Sequence, residues 1–292
     1  LEYRGYDSSG IVVKNGNLQV HKKVGKVSEL SKILPNHIAG NSGIAHTRWA
    51  THGGVTDANA HPHLSENESI AVVHNGIINN SRDLRNRLEQ RGFELKSETD
   101  SEALVHMISI GIESGQEPLE AVRQTLNRAT GTWGLCVLFK DHDLIVCARN
   151  GSPLILGKGD GESFISSDPH ALSQHTQNFY FLEDGDMAVV TRDGIDISRL
   201  EGGMSSTSMT VIEDEWGEAD MAGFPTFMLK EIHEQPEALR RCITGRLDMA
   251  NGSAKLGGLR LEPLRLRTTP HVRLIGCGTA SVSYTHLTLP TN

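Results

Sequence analysis

Seven short apolar segments between residues 133 and 198, separated by turns, constrain the fold of this chain more than any other feature. Three of the turns contain Asp-Gly pairs, at Asp160-Gly161, Asp184-Gly185 and Asp193-Gly194, a dipeptide typical of tight turns between strands. Strands joined by tight turns are antiparallel. The sequence therefore predicts antiparallel strands over residues 133–139, 144–149, 154–157, 163–166, 178–182, 187–191 and 195–198.

The preceding residues combine strand and helix patterns. Two β-rich runs meet at Asn15-Gly16, a strong hairpin signal, and further short strands are predicted at residues 43–46 and 69–74. A block of three helices follows, and Asp100 is expected to be the N-cap of the second. Because this block stands between two groups of strands, we predict an α+β fold with layered antiparallel sheets. The predicted helices cover residues 81–91, 100–112 and 118–128.

The charge balance argues against one class of partner. The 292 residues carry 28 Lys and Arg against 36 Asp and Glu, a net charge of −8, whereas a general nucleic-acid binder needs a basic surface to displace counterions. Apolar residues make up 37% of the chain, as in globular proteins. No run reaches the roughly 18 apolar residues of a membrane helix. We therefore expect neither nucleic-acid nor membrane binding.

No metal or disulfide site is predicted. The four cysteines form no Cys-x-x-Cys pair, which favours a reducing compartment and a cytoplasmic location. Cys136 and Cys147 fall in apolar strand-like runs and are expected to be inert core thiols. His61-Pro62-His63 offers two potential ligands, but no cysteine or carboxylate accompanies them at ligand spacing. We expect no cofactor.

The composition also suggests how the chain is divided. Residues 201–226 are polar, acidic and rich in Gly, Ser and Met, which predicts a linker between a first domain over residues 1–200 and the start of a second over residues 227–281. The sequence opens at Leu1 without a leader. Residues 282–292 resemble one reading frame of a sequencing-library adapter, and we expect this non-native tail to carry no folded role.

A loop rich in hydrogen-bond donors follows the strand predicted at residues 43–46. It reads His46-Thr47-Arg48-Trp49-Ala50-Thr51-His52-Gly53-Gly54 and is called the Arg48 loop below. The guanidinium of Arg48 is a planar fork that matches a carboxylate through two parallel hydrogen bonds. The loop is therefore either a clamp for a small carboxylate or a surface loop with an arginine ion pair.

Two other segments offer complementary groups. In His74-Asn75-Gly76, the Asn75 amide and the Gly76 N–H are the donor pair that an oxyanion needs, although Asn-Gly is also a common turn dipeptide. In Ser97-Glu98-Thr99-Asp100, the carboxylate of Asp100 suits either a substrate ammonium group or a helix N-cap. Neither segment alone decides between these readings.

Five motifs occur in order along the chain. They are Arg4-Gly5-Tyr6-Asp7-Ser8, the Arg48 loop, His74-Asn75-Gly76-Ile77-Ile78-Asn79-Asn80, Ser97-Glu98-Thr99-Asp100 and Lys230-Glu231-Ile232-His233-Glu234-Gln235-Pro236. Together they resemble the glutaminase half and linker of one family, the glutamine–fructose-6-phosphate aminotransferases (isomerising), also called glucosamine-6-phosphate synthases. Gly276-Cys277-Gly278-Thr279 resembles the opening of the sugar-isomerase domain of that family.

The resemblance implies a four-layer αββα N-terminal-nucleophile hydrolase fold, that of class II glutamine amidotransferases, followed by the first strand of an α/β sugar-isomerase domain. In such enzymes an N-terminal Cys attacks the side-chain amide of L-glutamine and releases ammonia. The ammonia passes through a channel to D-fructose 6-phosphate, which gives D-glucosamine 6-phosphate and L-glutamate. The full-length enzyme is expected to be a homo-oligomer.

The resemblance also implies roles for residues of this chain. Arg48 would bind the α-carboxylate of glutamine and Asp100 its α-ammonium group. Thr51 and His52 would line the same pocket. Asn75-Gly76 would form the oxyanion hole.

Two further implications concern the loop and the second domain. Trp49 would lie in the loop that closes over glutamine and gates the channel, and Thr279 would contact the sugar phosphate. None of the cysteines matches the family's nucleophile, so we expect a polypeptide that begins at Leu1 to be catalytically inactive. Two alternatives stay open: another class II amidotransferase, similar to amidophosphoribosyltransferase, and a non-catalytic protein that binds glutamine or a sugar phosphate.

Overall fold

The structure, a computed structural model, describes residues 7–212, 222–244, 247–248 and 253–254. The chain divides into two compact units, Leu1–Ala219 and Asp220–Asn292. The strands of the first unit are β1 (Ser8–Asn15), β2 (Asn17–Val24), β3 (Ser42–Arg48), β4 (His63–Leu64), β5 (Ile70–Ile78), β6 (Gly131–Phe139), β7 (Ile145–Asn150), β8 (Ile155–Lys158), β9 (Ser163–Ser166), β10 (Asn178–Phe181), β11 (Asp186–Val190), β12 (Ile195–Arg199) and β13 (Met209–Val211). Its α-helices are α1 (Val27–Ile33), α2 (Ser81–Glu89), α3 (Ser101–Glu113) and α4 (Pro118–Leu126).

The strands form three sheets in which neighbouring strands pair antiparallel. The central sheet has six strands in the order β12-β11-β7-β6-β5-β4. A second sheet has the order β2-β1-β3, and a third has the order β13-β10-β8-β9. The antiparallel arrangement and the strands predicted between residues 133 and 198 are thus confirmed.

The central sheet is buried on both faces. Side chains alternate along a strand, and in β5 this sends Ile70 and Val72 into the core shared with α2, α3 and α4. Ala71 and Val73 enter a second core, which the central sheet shares with Val12 of the second sheet and with residues of the third. Helices therefore cover one face of the sheet and two smaller sheets cover the other, while α1 packs against β1 and β2. The predicted α+β class is confirmed.

The second unit is described over a short stretch. Thr226 is the N-cap of helix α5 (Phe227–Ile243), and its Oγ1 accepts a hydrogen bond of 3.2 Å from the N–H of Leu229. Strands β14 (Leu247–Asp248) and β15 (Ser253–Ala254) pair antiparallel. No helix of the described residues is long and apolar enough to cross a membrane.

Two parts of the expected organisation need comment. Strand β13 lies inside the segment predicted as a linker, and its pairing with β10 extends the third sheet into that segment. The predicted isomerase strand, Thr279 and the tail over residues 282–292 lie outside the described residues, as do residues 1–6.

Asp100 occupies the predicted N-cap position of α3, which begins at Ser101. Its backbone is helical, however, and its side chain makes no capping hydrogen bond. Its Oδ2 instead accepts a hydrogen bond of 2.7 Å from the N–H of Ile78 on β5. The Asp100 carboxylate thus lies against the neighbouring strand β5.

Candidate active site

A cavity of about 310 Å³ opens at one end of the central sheet, lined by residues of β3, β5, β6, the Arg48 loop and the start of α3. Every predicted site residue that the structure describes contributes to this lining. These residues are Arg48, Trp49, Thr51, His52, Asn75, Gly76 and Asp100. The positions come from three separate segments of the sequence, so only the folded chain brings them together.

Arg48 is the last residue of β3 and is 4% exposed. Its Nη1 donates a hydrogen bond of 3.1 Å to the carbonyl oxygen of Gly54, and its Nη2 donates to the carbonyl oxygen of His52. Burial lowers the pKa of the Arg48 guanidinium from its ordinary value. The side chain therefore closes its own loop into a turn while it lines the cavity.

Three residues outside the cavity lining, Glu98, Asn59 and Asp7, form hydrogen bonds with the Arg48 loop. Oε2 of Glu98 accepts hydrogen bonds from the Gly54 N–H at 2.9 Å and from Nδ2 of Asn59 at 3.0 Å. The same Nδ2 donates to the Gly54 carbonyl oxygen at 2.9 Å. At the other end of the loop, Asp7 Oδ2 accepts a hydrogen bond of 2.6 Å from the Ala50 N–H. The hydrogen bonds that Glu98 accepts from Gly54 and Asn59 hold the pKa of its carboxyl below its usual range.

Asp100 is 6% exposed and lies at the start of α3. Its Oδ1 accepts a hydrogen bond of 3.2 Å from the Ser101 hydroxyl, in addition to the Ile78 contact of Oδ2. Among the residues that line the cavity, Arg48 is the only Lys or Arg and Asp100 the only carboxylate. One fixed cation and one fixed anion in a small cavity match the two charges of an α-amino acid.

Asn75 and Gly76 lie side by side near the end of β5. Gly76 has a φ of +147°, and an added Cβ would lie 2.2 Å from the carbonyl oxygen of Thr132, so glycine is required there. The strand fixes the backbone that carries the predicted donor pair, since Asn75 pairs with Gly134 and Gly76 with Trp133 on β6.

Buried histidines surround the cavity and are neutral near pH 7. Burial lowers the pKa of His46 to about 4, and it also lowers the pKa values of His61 and His74. The His74 ring lies 2.8 Å from the Ser101 hydroxyl and 3.1 Å from the Thr132 carbonyl oxygen, which ties the start of α3 to β5 and β6. No group of three or more His, Cys, Asp or Glu among the described residues is placed to hold a metal ion.

Trp49 is the most exposed of the large apolar side chains at the cavity, with 60% of its surface accessible. Thr51 is also exposed, whereas His52 is half-buried. The loop therefore presents an aromatic side chain to solvent at the cavity entrance. This position suits a residue of a closing loop, and the gating role of Trp49 stays a prediction.

The sequence reasoning missed several residues that position the site. Glu98 stands two residues before Asp100 in a motif that was singled out, but nothing in that motif indicated that Glu98 binds the Arg48 loop. Asn59 gave no signal at all, because its contacts depend on the approach of two loops. Ser101 and His74 could have been paired only by knowing that α3 begins beside β5.

Several known proteins are similar to this chain in sequence. Residues 46–174 match the family model described as glutamine amidotransferase domain. Glutamine–fructose-6-phosphate aminotransferase (isomerising) from Chlorobaculum tepidum is 42% identical over 295 residues, covering 96% of this chain and 47% of the relative. The enzyme of that name from Thermus thermophilus is 44% identical over 285 residues, covering 96% of this chain and 46% of the relative. The chain thus spans about half the length of these curated relatives.

Solved structures support the fold. The glutamine phosphoribosylpyrophosphate amidotransferase of B. subtilis matches with a TM-score of 0.57 and 25% identity, over 69% of this chain and 45% of that chain. A structure titled as the allosteric regulatory enzyme of purine biosynthesis matches with a TM-score of 0.57 and 26% identity, over 70% of this chain and 45% of that chain. Residues 46–174 therefore match a glutamine amidotransferase domain, and the chain has the class II glutamine amidotransferase fold, a fold of the N-terminal-nucleophile hydrolase type.

Proposed function

We propose that this chain is the glutamine-binding part of a glutamine–fructose-6-phosphate aminotransferase (isomerising). The observation that carries the proposal is that one cavity brings together Arg48, Asp100 and the Asn75-Gly76 donor pair. Names of relatives 42–44% identical over 96% of the chain support the choice of reaction. In that reaction the side-chain amide of L-glutamine supplies ammonia to D-fructose 6-phosphate, and L-glutamate and D-glucosamine 6-phosphate leave.

Each proposed role follows from the chemistry of the group. The guanidinium of Arg48 binds the α-carboxylate of glutamine, and the carboxylate of Asp100 binds the α-ammonium group, with Thr51 and His52 beside them. The Asn75 amide and the Gly76 N–H stabilise the oxyanion that develops when the amide carbon is attacked. The attacking group of the reaction is a cysteine thiolate that forms a thioester with the glutamyl carbon. We assign that role to no cysteine of the described residues.

The remaining expectations are proposals of the same kind. We propose a cytoplasmic, homo-oligomeric enzyme without a cofactor, in which Thr279 contacts the sugar phosphate and Trp49 closes over bound glutamine. The alternative of an enzyme similar to amidophosphoribosyltransferase draws on the solved structures, whose identities of 25% and 26% are well below those of the aminotransferase relatives.

The glutamine site is tested by a pair of ligands that differ in one group. Isothermal titration measures binding of L-glutamine and of 5-amino-5-oxopentanoate, which lacks the α-ammonium group. Asp100→Asn keeps an oxygen for the Ile78 N–H but removes the charge, so we expect it to weaken L-glutamine binding by roughly ten-fold or more. Binding of 5-amino-5-oxopentanoate should stay unchanged. An equal loss for both ligands, or no glutamine binding by the unsubstituted chain, would contradict the assignment.

The reaction is tested separately in a protein of the length of the curated relatives. Formation of glucosamine 6-phosphate from L-glutamine and fructose 6-phosphate supports the proposal. Glutamine hydrolysis with transfer to a phosphoribosyl acceptor instead would favour the alternative enzyme. Glutamine binding without either reaction would favour a non-catalytic binding protein.

A further inference from the structure

A second cavity, of about 370 Å³, lies between α2 and α3 on the helical side of the central sheet. It shares no lining residue with the cavity that contains Arg48. Its floor is apolar: Leu84 and Leu88 of α2 are each 2% exposed, and Met107 and Ile110 of α3 complete the surface. A ligand that enters here meets hydrocarbon first, so its body must be apolar.

The rim of this cavity carries charge of one sign. Arg87 on α2, Arg91 in the turn after α2 and Arg128 after α4 all contribute to the lining, and no Asp or Glu among the described lining residues does. None of the three forms an ion pair within the described part of the chain, and all three are exposed. By contrast, Arg85 of the same helix lies 3.5 Å from Glu102 and donates to two backbone carbonyl oxygens.

The arginines of this rim lack a balancing negative charge. Arg87 on α2, Arg91 in the turn after it and Arg128 border an apolar floor. No carboxylate of the described lining residues balances them, in a chain whose net charge is −8. A bound anion would supply the missing negative charge, and guanidinium groups bind phosphate and carboxylate oxygens with matched geometry.

We propose that this cavity binds a small organic anion whose apolar or aromatic body lies on Leu84 and Leu88 and whose phosphate contacts Arg87, Arg91 and Arg128. The proposal does not depend on the glutamine site, since the two cavities are separate. The charge pattern and the floor together define the ligand class: inorganic phosphate lacks the body, and an uncharged ring lacks the partner for the arginines.

The test uses phenyl phosphate as the probe, with inorganic phosphate and phenol as partial probes. Isothermal titration on the full chain should show phenyl phosphate binding at least roughly ten-fold more tightly than either partial probe, because only it engages both the floor and the rim. Arg87→Gln and Arg91→Gln should each weaken phenyl phosphate binding by roughly five-fold or more.

Arg82→Gln is the matched control, because Arg82 is an exposed arginine of α2 that does not line the cavity. It should leave the affinity for phenyl phosphate unchanged. Equal binding of phenyl phosphate and inorganic phosphate, or an equal effect of Arg82→Gln and Arg91→Gln, would show nonspecific charge attraction and overturn the proposal. If another segment of the chain or a second copy fills the cavity, phenyl phosphate will bind no variant above the level of phosphate, and the proposal fails.

Discussion

Gly54 and Glu98 are joined by a hydrogen bond of 2.9 Å from the Gly54 N–H to Oε2 of Glu98. On its other side, the Gly54 carbonyl oxygen accepts from Arg48 at 3.1 Å. One peptide segment thus connects a carboxylate behind the Arg48 loop to the guanidinium at the cavity. We infer that Glu98 positions Arg48 without contacting the ligand.

Replacing Glu98 with Gln should weaken glutamine binding through the loop. The amide is neutral, so it loses the charge-assisted hydrogen bonds to Gly54 and Asn59, and the Arg48 loop samples open arrangements. We expect the dissociation constant for L-glutamine to rise by roughly three- to ten-fold, measured by isothermal titration. Glu94→Gln is the control, because Glu94 is an exposed acid of the same segment that makes no hydrogen bond to the Arg48 loop. An unchanged dissociation constant in Glu98→Gln would show that the clamp does not matter for binding.

The parts of this site that the sequence could reveal are the residues whose types indicate their chemistry. Arg48 ends β3, Asn75 lies near the end of β5 and Asp100 precedes α3. The hydrogen bonds among Asn59, Glu98 and Gly54 could not be foreseen, because they form between loops whose approach depends on the packing of the whole domain. The missing capping hydrogen bond of Asp100 has the same origin, because its carboxylate accepts from the Ile78 N–H on the neighbouring strand instead.

In the fold, too, local features could be predicted from the sequence, whereas contacts between distant segments could not. Short apolar segments and Asp-Gly turns predict the antiparallel strands from β6 to β12, since both signals are local. Which strands become neighbours is not local: β6 pairs with β5, more than fifty residues earlier, because both are apolar on two faces and can stand at the centre of a sheet. Strand β13 was missed because it has only three residues, all of them exposed.

Arg48→Lys should weaken binding of ligands that carry an α-carboxylate and leave binding of ligands without one unchanged. Lysine carries a positive charge but lacks the fork that reaches the carbonyl oxygens of His52 and Gly54 through two different nitrogens. We expect L-glutamine to bind roughly ten-fold or more weakly, while 4-aminobutanamide, which lacks the α-carboxylate, binds as before. Titration of both ligands decides the matter, and a loss shared by both would point to general disruption of the cavity.

Acid should destabilise the protein through its buried histidines. Burial lowers the pKa of His63 to about 3, whereas the unfolded chain titrates near the ordinary value of 6.5. Below pH 6.5 the unfolded state therefore binds a proton at His63 that the folded state does not bind. The contribution of His63 to the free energy of unfolding is complete above that pH and falls as the pH drops toward 3. For one such histidine, each unit by which the pH falls within this window lowers the free energy of unfolding by about 1 kcal/mol.

His63→Gln should flatten this dependence. The free energy of unfolding, measured in urea at pH 7 and pH 5, should fall less between the two values in His63→Gln than in the unsubstituted chain, by about 2 kcal/mol. His37→Gln is the control, because His37 is exposed and should leave the slope unchanged. Parallel pH profiles for His63→Gln and the unsubstituted chain would show that His63 is protonated in the folded state.

The cysteines should differ strongly in reactivity. Cys242 is exposed on α5, whereas Cys136 and Cys147 are buried with their sulfur atoms 3.8 Å apart, and burial raises the pKa of Cys147. Since the thiolate is the reactive form, iodoacetamide at pH 8 should label Cys242 at least roughly a hundred-fold faster than Cys147. Peptide mass spectrometry gives the site-specific rates, and labelling in denaturant is the reference. Comparable rates in the folded protein would mean that β6 and β7 open readily.

Gly76→Ala should be strongly destabilising, more so than the same change at another glycine with positive φ. At Gly76 the new Cβ would lie 2.2 Å from the Thr132 carbonyl oxygen, at a φ of +147° that alanine disfavours. At Gly16 the φ is +69°, but nothing lies within 4 Å of an added Cβ, so Gly16→Ala isolates the backbone strain. We expect Gly16→Ala to lower the free energy of unfolding by about 1 kcal/mol and Gly76→Ala by about 3 kcal/mol or more, because the latter must also push β5 away from β6. Urea denaturation of the two variants measures the difference. Equal losses would show that the close approach of Gly76 to Thr132 relaxes easily. The backbone that presents the proposed oxyanion donors would then be less rigid than the pairing of β5 with β6 implies.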